Sequence, residues 1–320
     1  MSRGQEIGVI GTVVEDTIDR PGEETVRDMG GTYHSVIAMS VLLPTGTVAV
    51  PIAAVGEDAV ARVRADWSRL PRISLEGVYS VPAINNKVHI EYDRDGGRGE
   101  TLTGGVPSLE WEHIEAWTGR LDAWCWNFVA GNEVDRETFE RVKRASTGTL
   151  HLDVHSLCLG PPREGRPRER RKPEDWEGWV EGVTWVQMNE IEAGLLWEGD
   201  ARPLSRDRQP ALASRVHALG VEGLLITRGA RGATWLPRRG PVFDAPADPG
   251  PAIDPTGCGD VFGAAWVALR VARGQDPEAA VRGAVRAAGA AATVSGTADL
   301  AAALVGAADP LILEREGTNP

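Results

Sequence analysis

Hydrophobic positions along this chain come in short β-branched runs, separated by stretches whose apolar residues recur at helical spacing. The run at 7–14 (IGVIGTVV), with a glycine inside it, predicts a buried strand. Gly30 and Gly31 then precede 32–43, where Tyr33, Val36, Ile37, Ser40 and Val41 fall at helical spacing. The next strand-like run, 47–55 (TVAVPIAAV), contains Pro51, which has no amide to donate and so fits an edge or a bend. A helix is predicted over 57–70. Residues 87–92 and 100–103 flank Asp95-Gly96-Gly97 and predict a β-hairpin. Strands follow at 123–129, 149–154, 184–188 and 223–227, with helical stretches between them and two Ala-rich helices near 261–272 and 277–292. Strands alternating with helices predict a parallel sheet covered on both faces. The hairpin interrupts that alternation and predicts a small β appendage, a lid in functional terms. Trp124 and Trp126 alternate on one strand and are expected to face the core.

Composition changes this picture little. A chain of 320 residues buries a sizeable core without disulfides or metals. The formal net charge of -12 disfavours nucleic acid and anionic membrane as partners, but backbone amides can still form a local anion site. Cys125, Cys158 and Cys258 are odd in number and widely spaced, which fits reduced thiols better than a zinc site or a disulfide framework. The first six residues hold no apolar signal core and no run reaches membrane-span length, so a cytoplasmic chain is expected. The segment 161–172 (PPREGRPRERRK) stands apart. It reads as a solvated, mobile surface loop or, functionally, as an arginine-rich flap that attracts phosphates.

The most informative stretch is Asp254-Pro255-Thr256-Gly257-Cys258-Gly259-Asp260, followed at once by a helical pattern. Two glycines before a helix allow close approach of a ligand to backbone. The amides of residues 257–260 would then point at one spot, where the helix dipole favours negative charge. Asp260 at the edge of such a nest can accept a hydroxyl proton, or serve as an ordinary helix N-cap. Asn189 and Glu192 are three apart and share a helix face, with a solvated acidic face as the plain alternative. Thr227, Gly229 and Gly232 follow an apolar strand, where either a nucleotide or a simple turn can lie.

The stretch DPTGCGDVFGAAW resembles the C-terminal signature of the PfkB, ribokinase-like carbohydrate kinases, usually written D-T-x-G-A-G-D, with Pro255 for the usual Thr and Cys258 for the usual Ala. Other pieces of that family stand in the same order: GTVVED ending in Asp16, the pair Gly30-Gly31, Asn189-Glu190-Ile191-Glu192 for N-x-x-E, and Thr227 to Gly232 for T-x-G-x-x-G. The resemblance implies one doubly wound α/β domain spanning 1–320, mostly parallel, with a small β lid from segments near 12–30 and 80–105. It implies an ATP-dependent kinase acting on a hydroxyl of a sugar or polyol. A nucleoside kinase of the same fold and a non-catalytic ligand binder are the alternatives, and an intact Asp260 argues against the last. Asp260 becomes the catalytic base, and Gly257, Cys258 and Gly259 the anion hole, with Cys258 acting through its amide. Asn189, Glu192, Thr227, Gly229 and Gly232 become donor-binding residues, with Glu192 reaching Mg²⁺ through water. Asp16, Gly30, Gly31, Ser35 and Asn127 face substrate, although Ser35 stands where relatives often carry Asn and Asn127 fits a buried, hydrogen-bonded role equally well. Asp153 and His155 match a D-x-N strand end, with His155 in place of Asn. Lid strands imply a homodimer, and the loop before the signature helix implies K⁺, which Pro255 puts in question.

Overall fold

The computed structural model describes residues 4–94, 97–163 and 165–312. Nine strands form one sheet, in the spatial order Phe243–Ala245, Ala233–Pro237, Gly223–Thr227, Trp185–Asn189, Thr149–Asp153, Ala123–Asn127, Gln5–Ile10, Thr47–Gly56 and Val78–Val81. The pairs from Gly223–Thr227 through Val78–Val81 are parallel, and the other two strands are antiparallel. Side chains alternate between two cores, one on each face. Along Ala123–Asn127, Ala123 and Cys125 join the core beneath the helices Thr32–Leu42, Cys258–Val267 and Pro277–Ala291, while Trp124 and Trp126 join the opposite one. The two tryptophans are fully buried, as expected, and stack with ring centroids 5.9 Å apart.

A separate four-stranded sheet has the order Val26–Gly31, Val13–Asp19, Asn86–Tyr92, Arg98–Thr103. The last two strands form the expected hairpin; its turn residues Asp95 and Gly96 lie outside the described residues. The single strand expected at 7–14 is two. The chain breaks at Gly11, where a Cβ would collide with the Thr32 hydroxyl and the Asn127 carbonyl, and its second half leaves for the small sheet. Pro51 lies inside the large sheet, one strand from its edge. Its neighbours Ala49 and Ala53 donate outward to the carbonyls of Arg72 and Gly77, so the missing donor faces the edge side, where no ladder bond is lost to the central strand.

The segment 161–172 is not the wholly solvated loop expected from its composition. It is pinned by Arg168, whose side chain is 2% exposed. Nε of Arg168 donates to the Gly160 carbonyl (3.0 Å), Nη2 to the Ala130 carbonyl (2.7 Å) and Nη1 to Glu100 (3.4 Å). No helix among the described residues is long and apolar enough to cross a membrane.

Candidate active site

A cavity of about 660 Å³ lies between the C-terminal ends of the parallel strands and the small sheet, the place where ligands bind in open α/β sheets. Its size suits a small-molecule site. At its centre is the turn opening the helix Cys258–Val267. Buried Asp254 accepts from the Thr256 amide (2.9 Å) and from Arg20 at the end of the small sheet (2.6 Å). Gly257 has φ 77°, and a Cβ there would collide with the ring of His34, so both backbone and neighbour demand glycine. The Cys258 amide turns back to the Pro255 carbonyl (3.3 Å), while those of Gly257, Gly259 and Asp260 find no acceptor among the described residues. Of the amides at this turn, those of Gly257, Gly259 and Asp260 are therefore the ones left open to a ligand, and the Cys258 amide is not. Burial pushes the Cys258 thiol up to about 12, which leaves no thiolate nucleophile at neutral pH.

Asp260 lies in the first helical turn, its carboxylate reaching the cavity. Asn127, at the end of its strand, donates from Nδ2 to Oδ1 of Asp260 at 2.6 Å. The buried, hydrogen-bonded alternative for Asn127 thus takes the form of a direct contact with the expected base. Ser35 is buried and donates to the Asp260 carbonyl (3.3 Å); it does not line the cavity, unlike the substrate contact expected. Gln187 donates to Asp153 Oδ2 (2.6 Å) and to the Gly259 carbonyl (2.9 Å), tying the helix start to the sheet. Burial, reinforced by the charges of Glu192 and Asp260, holds the Asp153 carboxyl well above the usual carboxylate range.

At one end of the cavity the small sheet presents Val14, Asp16, Val88, Ile90, Arg98 and Glu100, facing Gly31, His34 and His155. A Cβ on Gly30 would overlap the Asp16 carboxylate, and Gly31 takes φ 60° beneath Val129, which explains the glycine pair. Burial raises the Asp16 carboxyl to about 7; Asp260, Glu100 and Asp28 add to this and Arg98 opposes it. Asp16 thus binds its proton more tightly folded than unfolded. Its contribution to stability is full below about pH 4 and is lost as pH rises through about 7. Asp16→Asn is accordingly expected to raise the thermal midpoint at pH 8 more than at pH 5. Equal shifts at both pH values would contradict the buried, proton-holding carboxyl.

At the other end, Thr227, Gly229 and Gly232 line the cavity, with the segment 247–252 opposite. Gly232 has φ 83°, and a Cβ would collide with the Ala245 carbonyl. Asn189 caps its helix, its Oδ1 accepting from the amides of Ile191 and Glu192, and Glu192 returns both carboxylate oxygens to Asn189 (2.7 Å each). Asn189 lines the main cavity; Glu192 lines only an adjoining pocket of about 70 Å³. No three His, Cys, Asp or Glu groups among the described residues converge to hold a metal directly. Burial and, after it, the charges of Glu192 and Asp260 raise the Asp153 carboxyl; a divalent cation beside these groups would offset that charge, and an all-oxygen donor set suits Mg²⁺ held through water.

His34, Gln187, Arg98 and Arg20 belong to none of the sequence motifs. Only Gln187 gave a signal, as a polar residue inside the apolar strand WVQMN.

The doubly wound sheet, the four-stranded sheet over its strand ends and the glycine turn between them define a ribokinase-like fold. Residues 166–303 match the pfkB family carbohydrate kinase. A stretch of 103 residues is 40% identical to the bifunctional protein HldE of Nitrobacter winogradskyi, covering 31% of this chain and 21% of that protein. The match spans about a fifth of that relative's length. Among solved structures, the ribokinase of Thermotoga maritima is similar at TM-score 0.73 and 19% identity, over 96% of this chain and 99% of that one. A pyrophosphate-dependent kinase in the ribokinase family is similar at TM-score 0.75 and 18% identity, over 91% and 96%.

Proposed function

We propose that the protein is an ATP-dependent kinase that transfers the γ-phosphoryl group to a hydroxyl of a sugar or polyol, with Asp260 as general base. The observation that carries this reading is the placement of the Asp260 carboxylate. It lies between a polar acceptor end and a glycine-lined donor end, beside backbone amides that have no acceptor of their own. In this scheme Asp16 binds acceptor hydroxyls from the small sheet, which serves as the lid. The acceptor hydroxyl passes its proton to Asp260 as its oxygen bonds to the γ-phosphorus, and the bond to the ADP oxygen breaks. The amides of Gly257, Gly259 and Asp260, reinforced by the helix dipole, stabilise the charge on the transferring group. Thr227, Gly229 and Gly232 hold the nucleotide, and Asn189 with Glu192 orders the donor end. Mg²⁺, when bound, neutralises phosphate charge there.

Sugars and polyols fit better than nucleosides, because the small-sheet residues that line the acceptor end, Val14, Asp16, Val88, Ile90, Arg98 and Glu100, are aliphatic or charged, with no ring among them to stack on a base. Arg20 already neutralises Asp254 in the loop where the family resemblance implies K⁺, so exchanging K⁺ for Na⁺ is expected to leave turnover unchanged. Pairing of small-sheet strands between two copies completes the reading, and sedimentation tests it. The decisive experiment measures ADP release with ATP and Mg²⁺ across sugars, polyols and nucleosides, and formation of the phosphorylated acceptor when pyrophosphate replaces ATP as donor. A polyol that gives ADP supports the reading. A response to nucleosides alone, or to pyrophosphate alone, replaces its acceptor or donor.

A further inference from the structure

We propose that His34 is a positioning residue that holds the second oxygen of Asp260 and fixes the spacing between that carboxylate and the glycine turn; this deepens the kinase reading and rests on it. His34 occupies the first turn of the helix Thr32–Leu42, directly after Gly30-Gly31. Its side chain is 7% exposed, and its Nδ1 is buried without a hydrogen-bond partner. That nitrogen lies 3.9 Å from Oδ2 of Asp260, about 0.7 Å beyond hydrogen-bond range. Oδ1 of the same carboxylate is already held by Asn127 at 2.6 Å. A buried ring nitrogen without a partner is unfavourable, and the one carboxylate oxygen within reach of it is the one Asn127 leaves free.

A small rotation of either side chain closes the gap. Asp260 is then held by one donor on each oxygen, Asn127 Nδ2 and His34 Nδ1–H, and its remaining lone pairs keep a fixed direction toward the cavity. Proton transfer between positioned groups depends on that direction. The imidazole does a second thing: its face covers the α-carbon of Gly257, at the point where a Cβ would collide with Cδ2, Cγ and Nε2. One side chain thereby touches both the base and the anion turn, two elements that the helix start alone would leave free to shift against the rest of the cavity.

Two variants separate these contributions. His34→Phe keeps a ring over Gly257 and removes the donor; His34→Asn keeps a donor near the Nδ1 position and removes the ring. His34→Phe is expected to lower kcat about 10- to 100-fold with both KM values and the thermal midpoint little changed, and His34→Asn to recover most of kcat. Wild-type kcat in His34→Phe, or an equal loss in both variants, overturns the proposal. A second measurement does not depend on turnover. In ¹⁵N-labelled protein, the His34 ring signals, assigned by their loss in His34→Phe, are expected to move in Asp260→Asn. Unmoved signals overturn the His34–Asp260 contact whether or not the protein is a kinase. A wild type that releases no ADP while those signals do move overturns only the kinase reading.

Discussion

Asp260→Asn is expected to lower turnover about 10²- to 10⁴-fold while leaving donor binding intact, because the change removes a proton acceptor and not a pocket wall. The substitution preserves shape. The new carboxamide oxygen still accepts from Asn127 Nδ2, which now bonds Oδ1 at 2.6 Å, and the backbone of residue 260 still accepts from Ser35. The amides of Gly257, Gly259 and residue 260 remain at the helix start, so the site for phosphate charge persists. Steady-state kinetics on the acceptor found in the ADP-release panel, with calorimetric titration of the donor, checks both halves. A variant as active as wild type removes the base assignment. A variant that loses donor binding as well shows that the residue shapes the phosphate site.

Arg168→Ala is expected to destabilise the fold by about 3–5 kcal/mol, the range for removing one partner of a buried charged pair. The guanidinium is all but sealed from solvent, and it satisfies Glu100 together with the carbonyls of Gly160 and Ala130. Truncation strands the two carbonyls and leaves the Glu100 carboxylate, which also lines the acceptor end of the cavity, with Arg98 at 3.2 Å in place of two arginines. Chemical denaturation checks the magnitude. Arg163→Ala, in the same segment but with a side chain 59% exposed and paired to an exposed Glu169, is the control and is expected to change stability by no more than about 0.5 kcal/mol. Equal effects of the two variants would return the whole segment to the status of a solvated loop.

The contrast between these arginines marks the limit of the sequence. PPREGRPRERRK has the composition of a surface loop, and at Arg163 that is what it is. Nothing in it distinguishes Arg168, because the groups that sequester this side chain, at 100 and 130, belong to other elements. Ser35 shows the same limit from the other side. Its position after the glycine pair points to substrate, yet its hydroxyl is consumed by a carbonyl 225 residues away.

The sequence by itself determined what depends on neighbours within a turn or a strand. Apolar periodicity placed the six central parallel strands of the large sheet, since burial on two faces forces continuous apolar strands, and missed the three short strands Val78–Val81, Ala233–Pro237 and Phe243–Ala245 at its edges, while the hairpin pattern announced the small sheet. Gly257, Gly259 and Asp260 were legible because a helix start with glycines exposes amides through local geometry alone. The tertiary structure decided what the Asp260 carboxylate touches. Asn127 and His34 reach it from elements 133 and 226 positions away, Gln187 grips the Gly259 carbonyl from a third, and Arg20 crosses from the small sheet to Asp254. Hydrogen bonds and ion pairs act over a few ångströms of space and take no account of separation along the chain, so their partners exist only once the sheet has brought the strand ends together.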